Sequence, residues 1–315
     1  MNFVAIGRGE ILYSTTRLLL EKGYELKSVI TDTNAPEYRV KIEDFEKLAR
    51  DHSVPFLQSS SKLVISEFLE QFEKLDIGIS VNHRNILPAE VLGRFTHGVL
   101  NLHGGDLPRF KGNACQAWAI INGEERMGAC VYKMEPNLLD TGKILSRRFL
   151  ALSLNTKIQD CLTFLEVNGP SMFTESIKQL ELNPNFYIVD SANEPVPSLR
   201  CHERRPEDGY INWNREPTEI VRLINASGDP YFGAYSFLEG ELLKIVEAEP
   251  PKIVEQFLAV PGQVIYVCDA YVLVACAGGK SLLISTVDFG GKRLNASTVL
   301  KSTRMRLGPK ENQLN

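Results

Sequence analysis

Asn101 and His103 stand two residues apart where the apolar run Gly98-Val99-Leu100 gives way to Gly104-Gly105. On a strand this spacing puts both side chains on one face. One of them hydrogen-bonds without charge, and the other moves protons near neutral pH. Asp140 follows in a turn ahead of Thr141-Gly142. Taken alone, an Asp there is turn chemistry, and an isolated Asn/His pair is a turn cap with a backbone bond. Folded together, an amide, an imidazole and a carboxylate suit addition of an amine to a carbonyl. The amide stabilises the oxyanion, the imidazole shuttles the proton, and the carboxylate orients the imidazole. No nucleophilic side chain is needed if the substrate brings its own.

The elements that must position these residues alternate. Strands are expected over 2–6, 26–31, 76–81, 98–103, 127–134 and 143–150. Helices are expected over 10–22, 42–51, 64–74 and 115–122. This alternation predicts an α/β domain with a largely parallel sheet covered on both faces, whose ligands gather beyond the carboxyl ends of its strands. Residues 157–180 read as a long helical stretch interrupted at Gly169-Pro170. Residues 191–205 are polar and carry prolines, which predicts a linker between a domain over 1–190 and one over 206–315. A short helix over 217–224 precedes short strands and turns beyond Tyr235, the pattern of a small β-rich barrel or sandwich.

The 315 residues, 43% of them hydrophobic, fit two soluble globular domains. The net charge of −4 offers no general attraction to nucleic acid or anionic membrane. From Cys201 onward 13 Lys+Arg face 14 Asp+Glu, so no basic half stands behind that average. Six scattered cysteines without a CxxC pair argue against a zinc site and a disulfide framework. With no signal-peptide pattern at the start and no long apolar run, the expected location is cytoplasmic.

Gly7-Arg8-Gly9 follows the first strand, where helix N-termini bind phosphate. Leu12 stands where the dinucleotide fingerprint has its third glycine, so a turn is the better reading. Asn82 to Pro88 is irregular polar sequence after a strand: a plain connection, or exposed backbone for a flat heterocycle. His52, His97 and His202 read as surface or structural.

In this order the pieces resemble the folate-dependent formyltransferases. The carrying motifs are Asn101-Leu102-His103, Leu107-Pro108-Arg109-Phe110-Lys111-Gly112, Asp140-Thr141-Gly142, and the upstream Ser80 with Ile86-Leu87-Pro88. Arg205 to Trp213 and Asp229 to Ala234 extend the likeness over nearly the whole chain. The resemblance implies a Rossmann-like formyltransferase domain followed by a small OB-like barrel. It implies direct transfer of formyl from N10-formyltetrahydrofolate, with Asn101, His103 and Asp140 catalytic and no metal. Arg84, Asn85, Ile86, Leu87 and Leu139 would hold the folate.

Two branches share this layout, one formylating the methionine on initiator tRNA and one the amino groups of nucleotide-linked deoxysugars. The charge balance lacks the cations that phosphates require, and Lys301, Arg304 and Arg306 read as a solvated face. Asn113-Ala114-Cys115 departs from the Gly-Ala-Ala-Pro type of the tRNA enzymes, as Gly105-Asp106 departs from the family's usual Ser-Leu. The favoured acceptor is therefore a nucleotide-sugar amine in polysaccharide biosynthesis, with nucleic acid not expected as a partner. Arg8, Asp106, Lys111, Asn113, Tyr231 and Phe232 would contact it. A homodimer is the assembly common among such sugar enzymes. The other readings are methionyl-tRNA formylation, a carrier-bound aminoacyl acceptor, an inactive nucleotide- or folate-binding module, and a nicotinamide dehydrogenase.

Overall fold

The computed structural model describes residues 1–194, 196–252 and 257–310; Pro195, within the expected linker, lies outside them. The chain divides into two compact units. The first takes Met1–Cys115, Arg126–Ala151 and Leu162–His202, and the second takes Gln116–Glu125, Leu152–Cys161 and the chain from Glu203.

In the first unit the elements run β1 (Asn2–Gly7), α1 (Glu10–Glu21), β2 (Glu25–Thr31), α2 (Ile42–Asp51), β3 (Phe56–Gln58), α3 (Lys62–Leu69), β4 (Ile77–Val81), α4 (Ala89–Leu92), β5 (Val99–His103) and β6 (Phe110–Gly112). Then come α5 (Cys115–Asn122), β7 (Arg126–Lys133), β8 (Lys143–Ala151), α6 (Ile158–Leu182), β9 (Val189–Asp190) and β10 (Leu199–Cys201), with the division between units passing through α5 and α6. The main sheet has the order β3-β2-β1-β4-β5-β7-β8-β9. Its first five strands are parallel, and β7, β8 and β9 extend it antiparallel. The sheet is thus mixed, because the loop between β7 and β8 is too short for the crossover that parallel neighbours need. Val4, Ile6, Ile30 and Val99 pack with Ile65, Leu69, Val91 and Leu92 of α3 and α4 as one core.

Two expectations are corrected here. The helix expected over 64–74 ends at Leu69, where Arg94 Nη2 donates to the carbonyls of Leu69 and Phe72. No break occurs at Gly169-Pro170, because α6 is continuous. A Cβ on Gly169 would lie 2.8 Å from Ile11 Cγ2 and 2.9 Å from Leu102 Cδ2, so the glycine lets the helix press onto β5. Proline removes one amide donor. Around it, side-chain donors serve nearby carbonyls: Asn168 to Phe164 O at 2.8 Å, Ser171 to Asn168 O at 2.9 Å and Thr174 to Pro170 O at 2.6 Å. Within the stretch expected as a linker, β10 pairs in parallel with β6.

The second unit holds α7 (Pro217–Ser227), β11 (Ala234–Leu238), β12 (Glu241–Glu249), β13 (Val264–Val267), β14 (Val272–Ala275), β15 (Ser281–Phe289), β16 (Lys292–Asn295), α8 (Ala296–Val299) and β17 (Leu307–Gly308). Its antiparallel sheet has the order β13-β14-β15-β12-β11-β17, with β16 on β15. The ends of that order meet, since Val264 N donates to Met305 O and Leu307 N to Gly262 O at 3.0 and 2.8 Å. The sheet therefore curls on itself around Ile245, Val264, Val274 and Ile284, with Ile220 and Ile224 of α7 against it. Trp213 is buried there and donates from Nε1 to Ser236 Oγ at 3.0 Å. Among the described residues no helix is long and apolar enough to cross a membrane.

Candidate active site

The site forms at the carboxyl end of β5, where the alternation of the strand turns Asn101 and His103 to one face. His103 is 8% exposed and Asp140 5%, so both are buried. Asp140 reaches them from the loop between β7 and β8, with a left-handed backbone at φ 49°. Its Oδ1 is 3.5 Å from His103 Nδ1, and its Oδ2 accepts from Gly112 N at 2.7 Å. On the other side of the ring, His103 Nε2 is 2.8 Å from Phe110 O. An oxygen thus stands beside each ring nitrogen, and a neutral imidazole has one N–H to give to the two. Ser191 clamps the loop that carries Asp140, accepting from Gly142 N at 2.9 Å and donating to Gly142 O at 2.7 Å.

The three sequence-predicted residues therefore come together, and two others join them. Tyr132 Oη accepts from Asn101 Nδ2 at 3.4 Å and donates to Asp140 Oδ1 at 3.1 Å. Cys115 Sγ lies 3.6 Å from His103 Nε2. Burial and then the neighbouring Cys201 push the Cys115 thiol far up, so it stays protonated and is no ready nucleophile. Tyr132 carries no motif. Its only sequence signal is its place on a strand, and the register that sets it opposite Asn101 appears only in the fold.

The segment expected to hold folate leaves β4 beside this site. Leu87 is buried as an anchor, whereas Arg84, Asn85 and Ile86 are exposed and Asn85 Nδ2 bonds to Ser60 O at 2.8 Å. Leu139, next to Asp140, is exposed as well. Lys111 Nζ donates to Thr141 Oγ1 at 2.8 Å, which puts one cation at the rim of the triad. Asn113 N bonds to Cys201 O at 3.0 Å. Asp106 faces arginines instead, 3.6 Å from Arg126 and 3.9 Å from Arg147. Arg8 is bound to Asp32 at 3.3 Å and to the carbonyl of Asn82 at 2.9 Å. Tyr231 and Phe232 belong to the second unit, where both are exposed and Lys244 Nζ stands 4.1 Å from the centre of the Phe232 ring. Among the described residues no cluster of three or more His, Cys, Asp or Glu could hold a metal ion.

Comparison with known proteins adds the following. Residues 1–160 match the family described as formyl transferase, and residues 204–304 match the formyl transferase C-terminal domain. The methionyl-tRNA formyltransferase of Geobacter sulfurreducens is 29% identical over 98% of this chain and 96% of its own. That of Caldanaerobacter subterraneus subsp. tengcongensis is 29% identical over 93% and 94%. Among solved structures, the N-formyltransferase of Helicobacter canadensis in complex with folinic acid and dTDP-3-aminofucose superposes with TM-score 0.65. It is 17% identical and covers 90% of this chain and 98% of that one. HypX of Aquifex aeolicus, in complex with tetrahydrofolic acid, gives TM-score 0.60 at 16% identity, and the chain spans only 47% of its length. At such identities these structures share the fold.

Proposed function

The chain belongs to the formyl transferase family, and we propose that it formylates the methionyl amine of an aminoacyl-tRNA by direct attack of that amine at the end of β5. N10-formyltetrahydrofolate is the co-substrate and supplies an activated formyl carbon. The residues present fit it: exposed irregular backbone anchored by buried Leu87 lies beside an amide, an imidazole and a carboxylate. In this reading Arg84 to Leu87 and Leu139 hold the pterin. Asn101 aims an amide N–H at the negative charge developing on the formyl oxygen. With Nδ1–H toward Asp140, His103 takes at Nε2 the proton that the attacking amine loses and gives it to N10 of the departing tetrahydrofolate as the bond from N10 to the formyl carbon breaks.

The observation that carries the choice of acceptor is local charge. Between Asp288 and Glu311 the chain has six cations, Lys292, Arg293, Lys301, Arg304, Arg306 and Lys310, and no acid. All six are exposed, and Arg293 pairs with Asp229. A balance averaged over half the chain conceals this stretch, which has the composition that phosphate backbones require. The full-length likeness to methionyl-tRNA formyltransferases supports the same reading.

A nucleotide-linked amino-deoxysugar is the second reading. Lys111 at the rim of the triad offers one cation to a small anionic acceptor, and Asn113-Ala114-Cys115 sets this loop apart. One assay decides between them: N10-formyltetrahydrofolate is offered with Met-tRNA or with 3-amino and 4-amino deoxysugar nucleotides, and tetrahydrofolate release is followed. Turnover with Met-tRNA that disappears in His103→Ala is expected. Turnover with an amino sugar alone would reject the tRNA reading and keep the triad.

A further inference from the structure

Tyr132 lies opposite Asn101 in the antiparallel register of β5 and β7, so the two side chains share a face of the sheet. Its ring is 2% exposed and packs with Leu107, Cys130 and Ile144. Only the hydroxyl has polar work, and it is engaged twice, with Asn101 Nδ2 at 3.4 Å and Asp140 Oδ1 at 3.1 Å. A phenol has one proton to give and lone pairs to receive. Both bonds are met by one arrangement, with the proton toward Asp140 and a lone pair toward the amide. Burial, and then the charge of Asp140, hold the phenol proton far above its ordinary range, so this arrangement persists at any working pH.

Two consequences meet at the site. The Asn101 amide must turn its NH2 group toward Tyr132, because a hydroxyl whose proton is committed has nothing to donate to Oδ1. The second amide N–H then remains for the substrate. The Asp140 oxygen that receives Tyr132 is also the one that faces His103 Nδ1 at 3.5 Å, while Gly112 N holds the other. The oxyanion donor and the proton carrier are therefore tied together through one phenol. We propose that Tyr132 is a positioning residue for formyl transfer, its hydroxyl linking Asn101 to Asp140. It touches no reacting atom and loses no proton. This rests on the roles given above to Asn101, His103 and Asp140.

Tyr132→Phe keeps the ring and its packing and removes only the hydroxyl. With the acceptor that turns over in the assay above, kcat is expected to fall roughly 10- to 100-fold, somewhat less than loss of a whole oxyanion donor. KM for the folate should stay within about twofold, since a positioning loss shows in kcat. The double variant Asn101→Ala/Tyr132→Phe should lose less than the product of the single losses, the sign of two groups acting as one. Full activity in Asn101→Ala would overturn the site assignment and this inference with it. A loss in Asn101→Ala beside wild-type kcat in Tyr132→Phe, or losses that simply multiply, would overturn the inference alone.

Discussion

Gly105 sits just past the end of β5, and its missing side chain is what lets His103 reach its carbonyl neighbour. A Cβ there would lie 2.6 Å from His103 Nε2 and 2.5 Å from Phe110 O. Neither neighbour is a flexible side-chain end, since one is a buried ring between two oxygens and the other is backbone at the start of β6. Gly105→Ala must therefore move the imidazole or the carbonyl. The expected result is a fall in kcat/KM of about 100-fold, the scale of a misplacement near 1 Å, with about 1–3 kcal/mol of destabilisation from overpacking. Steady-state kinetics and thermal unfolding of the one variant check both numbers, and unaltered kcat/KM would show that the His103–Phe110 contact is dispensable. At this scale the sequence was informative where chemistry is encoded by spacing: Asn101, His103 and Asp140 are readable because a two-residue step on a strand and an Asp in a Gly turn have fixed geometric meanings. Tyr132 and Ser191 are not readable, because each acts on a residue placed next to it by sheet register or by chain return. Asp106 shows the converse, a charge beside the histidine that the fold gives to Arg126 and Arg147.

Strand ends decide the next scale. β1, β2 and β4 finish side by side, and the segments leaving them carry Arg8, Asp32 and His83. The His83 side chain is 3% exposed with Nδ1 3.9 Å from Asp32 Oδ2. Neither ring nitrogen has a hydrogen-bond partner among the described residues. Burial lowers the pKa of His83, Asp32 opposes that shift and Arg8 adds to it. A lowered folded value means that, between it and the ordinary value of about 6.5, the unfolded chain binds more protons than the folded one. Stability from this group is therefore full above about pH 6.5 and declines as pH falls below it. The unfolding temperature of the wild type should drop more between pH 7.5 and 5.5 than that of His83→Met, measured in matched buffers. Equal drops would show that His83 does not titrate on unfolding. Such element ends were legible unevenly. The bounds of α2 and α5 follow from apolar spacing alone, whereas α6 reads as broken at Gly169-Pro170 because a proline's lost donor is local and the packing of Gly169 onto Leu102 is not.

Over the whole molecule the deciding quantity is where charge lies rather than how much there is. A net charge of −4 predicts weak attraction to polyanions, yet attraction within a Debye length of about 8 Å depends on the nearest charges. The acid-free stretch from Lys292 to Lys310 supplies six exposed cations on one segment of the second unit. Each cation that neutralises a phosphate releases a condensed counterion, and the logarithm of affinity then falls with the logarithm of salt by about 0.9 per phosphate on a duplex. If three of the six engage an acceptor stem, kcat/KM for Met-tRNA should drop roughly 40-fold between 50 and 200 mM salt, as a slope near −2.7 requires. The triple variant Lys301→Gln/Arg304→Gln/Arg306→Gln should lower kcat/KM at low salt and flatten that slope by up to about 2.7, while kcat at saturating tRNA stays near wild type, because none of the three belongs to the site at β5. A small nucleotide-sugar acceptor meets none of these conditions: its kcat/KM would change only severalfold with salt and would ignore the triple substitution. An unchanged slope in the triple variant, with Met-tRNA still the substrate, would place the phosphate contacts on cations other than these three.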